Sequence, residues 1–146
     1  MSTSGIALAV SIDDNDIDLF VQKRFLEINH FARQIITFRS PLDALDYFES
    51  AKELPEIILL DLNMPVMDGF EFLDKYLQLP EKITSQSKVV VLTSSSSGSD
   101  RERASTYPCV IGFISKPMEL KNLDDLRQHF LVKPDEVPHQ VVKVKK

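Results

Sequence analysis

The sequence predicts an α/β domain built on a mainly parallel sheet with helices on both faces. Two observations carry the prediction. Five short apolar runs, at residues 6–12, 35–38, 57–60, 89–92 and 110–114, alternate with longer amphipathic segments. Three of them, 57–60, 89–92 and 110–114, are apolar nearly throughout, as suits strands covered on both faces. Right-handed crossovers then place helices on either side of the sheet. In such sheets ligands bind beyond the carboxyl ends of the strands, so the residues that follow each run matter most.

The connecting segments read as five helices. In the first, Ile17, Phe20, Val21, Phe25 and Ile28 recur at helical spacing and form its apolar stripe. The second opens Ser40-Pro41-Leu42-Asp43, an N-cap Ser with Pro at the first helical position and an acid placed for a capping box. Its stripe is Leu42, Leu45 and Phe48. The third follows Asp68-Gly69 with Phe70, Leu73 and Leu77 on one side. The fourth is short and polar, from about Asp100 to Tyr107, where Pro108 stops it. The fifth carries Leu120, Leu123, Leu126 and Phe130. After Leu131 the pattern fades, and 132–146, with Pro134, Pro138 and mixed charge, reads as a C-terminal tail, a small extra strand at 141–144 being the second reading. Residues 1–131 therefore form the domain, and no output domain is expected after it.

Bulk properties bound the function. A chain of 146 residues fits one ordinary domain, and 43% hydrophobic residues suffice for a core. The formal charge of -5 disfavours nucleic acid as a partner. The basic end, Lys143-Val144-Lys145-Lys146, reads as a solvated terminus. The single cysteine, Cys109, excludes an intrachain disulfide and lies in an apolar run, where it reads as a small buried hydrophobe rather than a nucleophile. No signal peptide is evident, and no apolar run approaches the roughly 20 residues of a membrane helix. A cytoplasmic protein without membrane contact is the expectation.

The strand ends carry the chemistry. Asp13 and Asp14 follow the first run, Asp61 closes the third, Thr93 the fourth, and Lys116 follows the fifth, ahead of Pro117. A parallel sheet gathers all five at one edge. Each alone is ordinary: an Asp is most often a solvated surface group, and Asp13-Asp14 would also serve as the N-cap region of the first helix. Together they are specific. Three carboxylates in one place resist ionisation unless a hard cation relieves them. Mg2+, or Mn2+, suits such oxygen ligands. Asp14 and Asp61 fit direct ligation, Asp13 direct or through water, and a backbone carbonyl near Asn63 completes the protein's share. A carboxylate is also a nucleophile able to form an aspartyl-phosphate. Lys116, the Thr93 hydroxyl and the Ser94 backbone N–H would then hold the phosphoryl oxygens.

These residues make the chain resemble the receiver domain of two-component response regulators, and among them the stand-alone chemotaxis-type regulators. The segment Asp61-Leu62-Asn63-Met64-Pro65-Val66-Met67-Asp68-Gly69 is similar to the family's phosphorylation-site signature. The resemblance extends over about residues 6 to 131. It implies a five-stranded doubly wound, flavodoxin-like sheet of order 2-1-3-4-5. It also implies Asp61 as phosphoacceptor, Asp13 and Asp14 as metal-binding acids, Thr93 as switch hydroxyl, Lys116 as phosphate partner and a cis peptide before Pro117. Phe113 stands at the family's aromatic switch position, where a core Phe of one rotamer is the alternative. The sequence departs from the family at Thr106-Tyr107-Pro108-Cys109-Val110, where a Gly-containing stretch is usual, and in the Ser-rich run 94–99.

The expected function is a single-domain response regulator, not an enzyme acting on other molecules. It would take its phosphoryl group from a histidine kinase or a histidine phosphotransfer protein, and signal through a downstream protein. An aspartyl-phosphate phosphatase is a second reading, weakened because Asn63 stands where such enzymes need an acid. A flavodoxin-like cofactor binder is a third, opposed by the three acids that would repel a flavin phosphate.

Overall fold

A computed structural model describes residues 6–64, 67–93 and 98–131, the last two by backbone alone. The elements in order are β1 (Leu8–Ile12), α1 (Asp16–Ile28), β2 (Gln34–Phe38), α2 (Pro41–Ser50), β3 (Ile57–Asp61) and α3 (Gly69–Tyr76). They continue with α4 (Glu81–Thr84), β4 (Lys88–Thr93), α5 (Gly98–Ser105), β5 (Val110–Ser115) and α6 (Leu120–Leu131). All strand pairs are parallel, and the sheet order is β2-β1-β3-β4-β5, as the resemblance implies.

Alternation along the central strands builds two cores. Val10, Ile12, Ile58, Leu60, Val89 and Val91 face one side, where Phe48, Phe72 and Leu73 cover them from α2 and α3. Ala9, Ile57, Leu59, Val90 and Leu92 face the other, beneath Leu26 of α1 and Leu123 and Leu126 of α6. Both faces of β1, β3 and β4 are thus dry, and the near-continuous apolar runs follow from that. β2 is the more exposed strand because it lies at the sheet edge.

Helix ends follow local chemistry. Ser40 caps α2 by accepting the Asp43 N–H at 3.2 Å, with Pro41 in the first turn. The complete reciprocal capping box lies on α3. There Asp68 accepts the Glu71 N–H, and Glu71 accepts the Asp68 N–H.

Several expectations need correction. On α1 the inward residues are Leu19, Gln22 and Leu26, whereas Ile17, Phe20, Val21 and Ile28 are 73, 66, 53 and 63% exposed. The apolar stripe read from the sequence therefore faces outward, all but Phe25, which packs against the core. Leu42, Leu77 and Leu120 are also exposed, and Ala44, Tyr76 and Phe72 do the packing on α2 and α3 in their place. The polar helix α5 starts two residues earlier than expected and ends at Ser105, so Thr106 and Tyr107 already belong to the turn before Pro108. Gly98 and Ser99, the end of the Ser-rich run, are its first residues. The one-turn helix α4 was not expected; four residues leave no periodicity to read. The tail at 132–146, and with it the strand considered at 141–144, lies outside the described residues.

Candidate functional site

The carboxyl ends of β1, β3, β4 and β5 converge on one edge of the sheet, where the parallel topology delivers the expected residues. Asp13 and Asp14 follow β1, Asp61 is the last residue of β3 and Thr93 the last of β4. Lys116 follows β5, its backbone N–H donating to the Thr93 carbonyl at 3.0 Å, and the Lys116–Pro117 peptide is cis. Each of the three acids offers an oxygen within 4.8 Å of the other two. Asp13 and Asp61 are 1 and 4% exposed, while Asp14 is half-buried.

Hydrogen bonds hold Asp13 in place. Its Oδ1 accepts the Asn15 N–H at 3.0 Å, and its Oδ2 accepts the Gln22 side-chain amide at 3.1 Å. Gln22 is itself fixed by the Ser11 hydroxyl, which donates to its Oε1 at 2.5 Å. Lys116 Nζ reaches three carboxylates: Asp13 at 2.7 Å, Asp18 at 3.0 Å and Asp61 at 3.4 Å.

The charges are strained. Burial, reinforced by the charge of Asp13, pushes the Asp61 carboxyl up to about 6, although Lys116 and the Asn63 N–H pull the other way. Burial works against the Lys116 ammonium as well, but hydrogen bonds to Asp13 and Asp18 and the charges of Asp61 and Asp13 hold it well above its ordinary value. A divalent cation fits this donor set. Three hard oxygen ligands lie together, and one of them, Asp61, is poorly ionised by itself, which suits Mg2+.

Thr93 is buried, and its Oγ1 accepts a hydrogen bond from the Asn63 side-chain amide at 3.3 Å. Phe113 sits on β5 opposite Val91, two residues before Ser115, the partner of Thr93. The period of two along the strands places Phe113 and Thr93 on the same face. The ring is half-buried against the core, with the Arg101 guanidinium 5.6 Å from its centroid. Ser94 lies outside the described residues.

The loop that carries Asn63 depends on Gly69. A Cβ there would lie 2.7 Å from Leu62 Cδ2, 2.8 Å from Leu62 Cα and 3.0 Å from the Asp61 carbonyl. The Gly69 N–H also donates to the Leu62 carbonyl at 3.0 Å. The start of α3 therefore rests directly on the chain leaving Asp61.

Sequence reasoning missed Ser11, Gln22 and Asp18. Gln22 leaves a detectable signal, being the polar member of the Leu19, Gln22, Leu26 series that α1 buries. Ser11, a lone hydroxyl within a buried strand, is weaker. Asp18 looks like any first-turn acid.

Comparison with known proteins agrees with the fold. Residues 9–128 match the family described as the response regulator receiver domain. A response regulator receiver protein from Dyadobacter fermentans has a similar structure, with a TM-score of 0.78 and 32% identity over 85% of this chain and 97% of that one. The probable methanogenesis regulatory protein FilR2 of Methanothrix harundinacea is 30% identical over 128 residues, 82% of this chain and 81% of that protein. Hybrid signal transduction histidine kinase D of Dictyostelium discoideum is 42% identical over 76 residues, which is 49% of this chain but 5% of the kinase.

The chain belongs to the response regulator receiver family. Receiver domains are phosphoacceptor modules of two-component signalling, phosphorylated by histidine kinases and binding Mg2+ in an acidic pocket, and Asp13, Asp14 and Asp61 form an acidic cluster here. Among the described residues no helix is long and apolar enough to cross a membrane.

Proposed function

We propose that the chain is a phosphorylation-controlled binding switch with Asp61 as its phosphoacceptor. The observation that carries the reading is the convergence of Asp61 with Asp13, Asp14 and Lys116 at a single strand edge. An Asp61 carboxylate oxygen attacks the phosphorus of a phosphohistidine. The P–N bond breaks, and the imidazole leaves with its electron pair and takes up a proton. Asp13, Asp14, Asp61 and the Asn63 backbone carbonyl would hold Mg2+ or Mn2+, which supplies positive charge to the phosphoryl oxygens when bound. Lys116 supplies a mobile point charge, and Thr93, once its hydroxyl turns to the phosphoryl group, one hydrogen bond; the Ser94 N–H is assigned another. Phe113 is the aromatic that would follow Thr93 inward.

Asn63 supports a switch over a phosphatase, because its amide cannot exchange a proton as a general acid, and it is engaged with Thr93. A protein donor is supported by the outward apolar face of α1, where Phe20 and Val21 are exposed and Val21 lies in one groove with Asp18 and Lys116. A groove of about 120 Å³ opens there, lined by Val21, Phe25, Leu92, Lys116, Pro117 and Met118. The donor would be a histidine kinase or phosphotransfer protein, and the output a downstream protein in the cytoplasm.

The test is labelling. With Mg2+ and either a phosphorylated phosphotransfer protein or a small phosphodonor, the protein should take up one phosphoryl group, stable in acid and lost in mild base. Asp61→Asn should take up none. Undiminished labelling of that variant would refute the assignment.

A further inference from the structure

We propose that Asp18 is a built-in competitor of the phosphoryl group for Lys116, and so sets how firmly the phosphorylated state is held. The inference rests on Asp61 being the phosphoacceptor. An ammonium carries three N–H donors. Three carboxylates contact Lys116 Nζ: Asp13 at 2.7 Å, Asp18 at 3.0 Å and Asp61 at 3.4 Å. When a phosphoryl oxygen takes the place of the Asp61 contact, Lys116 still divides its charge between that oxygen, Asp13 and Asp18.

The three partners are not equivalent. Asp61 becomes the mixed anhydride and gives up its carboxylate charge. Asp13 belongs to the acidic cluster that a cation would share, and it is hydrogen-bonded to Asn15 and Gln22 as well. Asp18 lies outside that cluster. Its side chain is 42% exposed, on the first turn of α1, where the helix dipole favours its negative charge. Its backbone N–H donates to Asn15 Oδ1 at 2.9 Å, which fixes the turn that presents it. Asp18 therefore keeps its charge and its contact with Lys116 when Asp61 is phosphorylated, and the phosphoryl group has to share the ammonium with it. Asp18 also adds negative charge at the entrance that an anionic phosphoryl group must approach.

Asp16 supplies a control. It belongs to the same turn, but its carboxylate pairs with Arg39 Nε at 2.8 Å. Removing its charge changes the net charge equally while leaving Lys116 untouched.

The experiment is calorimetric titration of the full chain with beryllofluoride in saturating Mg2+, with the Mg2+ affinity measured separately. Asp18→Asn should bind the mimic about fivefold more tightly, the scale of losing one partly exposed charge pair. Asp18→Glu and Asp16→Asn should stay within about twofold of the parent. A merely structural role for Asp18 would weaken binding or leave it unchanged, and either result overturns the proposal. Equal tightening by Asp16→Asn would also overturn it, by reducing the effect to net charge. If the parent chain itself fails to bind the mimic, the phosphoacceptor reading falls and this inference with it. A parent that binds while Asp18→Asn gains nothing refutes this inference alone.

Discussion

Asp61 is a poor anion until something compensates it. Burial and Asp13 raise its carboxyl to about 6 from an ordinary value of 3.8. In the metal-free protein the folded state therefore holds a proton that the unfolded state has already released between those two values. Stability falls as pH rises through that window, since there the native state binds more protons. A cation that needs ionised Asp61 competes with the same proton. Adding saturating Mg2+ should therefore raise the melting temperature more at about pH 7.5 than at about pH 5, and the Mg2+ affinity should weaken as pH falls through about 6. Asp61→Asn should melt higher than the parent without metal at neutral pH and gain little from Mg2+. A Mg2+ shift that is the same at both pH values would show that Asp61 does not ligate the ion.

At the scale of elements, the turn from β3 into α3 is set by contact rather than by propensity. Asp68 and Glu71 cap α3 and would do so beside many neighbouring residues. Gly69 has no such latitude, because the Leu62 backbone occupies the space of a Cβ. Gly69→Ala should cost about 2 kcal/mol in urea denaturation, as overpacking does, and should slow phosphorylation by displacing Asn63. A loss under about 0.5 kcal/mol would show that the loop yields freely. The helix α5 is tied to α3 by a different device. The Arg103 guanidinium lies 4.0 Å from the Phe70 centroid, Tyr107 stacks on the same ring at 6.4 Å, and the Tyr107 hydroxyl donates to Asp74 at 2.7 Å. These contacts stand in for an apolar stripe, since Ala104 is the one buried residue of α5.

For the whole molecule, the arrangement of α1 matters most. One helix both anchors the site and shows a face to its surroundings. Leu26 fixes it to the sheet, Gln22 braces Asp13, and Ile17, Phe20 and Val21 point outward near the same edge. An exposed apolar stripe on the helix that braces an acidic cluster is a place for a protein to dock. Phe20→Ser with Val21→Ser should therefore lower kcat/KM for phosphoryl transfer from a protein donor at least tenfold, the scale of losing an aromatic anchor. Labelling by a small phosphodonor, which needs no such surface, should be unchanged, as should melting temperature, since neither residue is buried. Equal loss with both donors would place these residues in the chemistry or the fold instead.

Much of this was legible in the residues themselves. Runs of Ile, Val and Leu determine strands dry on both faces, and their alternation with amphipathic segments determines a parallel sheet, because covalent order and right-handed crossovers leave few other arrangements. That topology is enough to bring Asp13, Asp14, Asp61, Thr93 and Lys116 together, since parallel strands end on the same side. Ser40-Pro41 likewise announces a helix start through purely local chemistry. What faces inward on α1 was decided only by tertiary contact. Ile17, Phe20, Val21 and Ile28 satisfy helical periodicity as well as Leu19 and Leu26 do, and periodicity measures only that residues share a face, not which face the sheet covers. Gln22 obscures the buried face, because a buried amide looks polar until its partners Ser11 and Asp13 are in place. The same holds for Asp61: the strand order brings it to the site, but its raised carboxyl and its sharing of Lys116 with Asp18 depend on burial and on angstrom-scale distances that no spacing along the chain encodes.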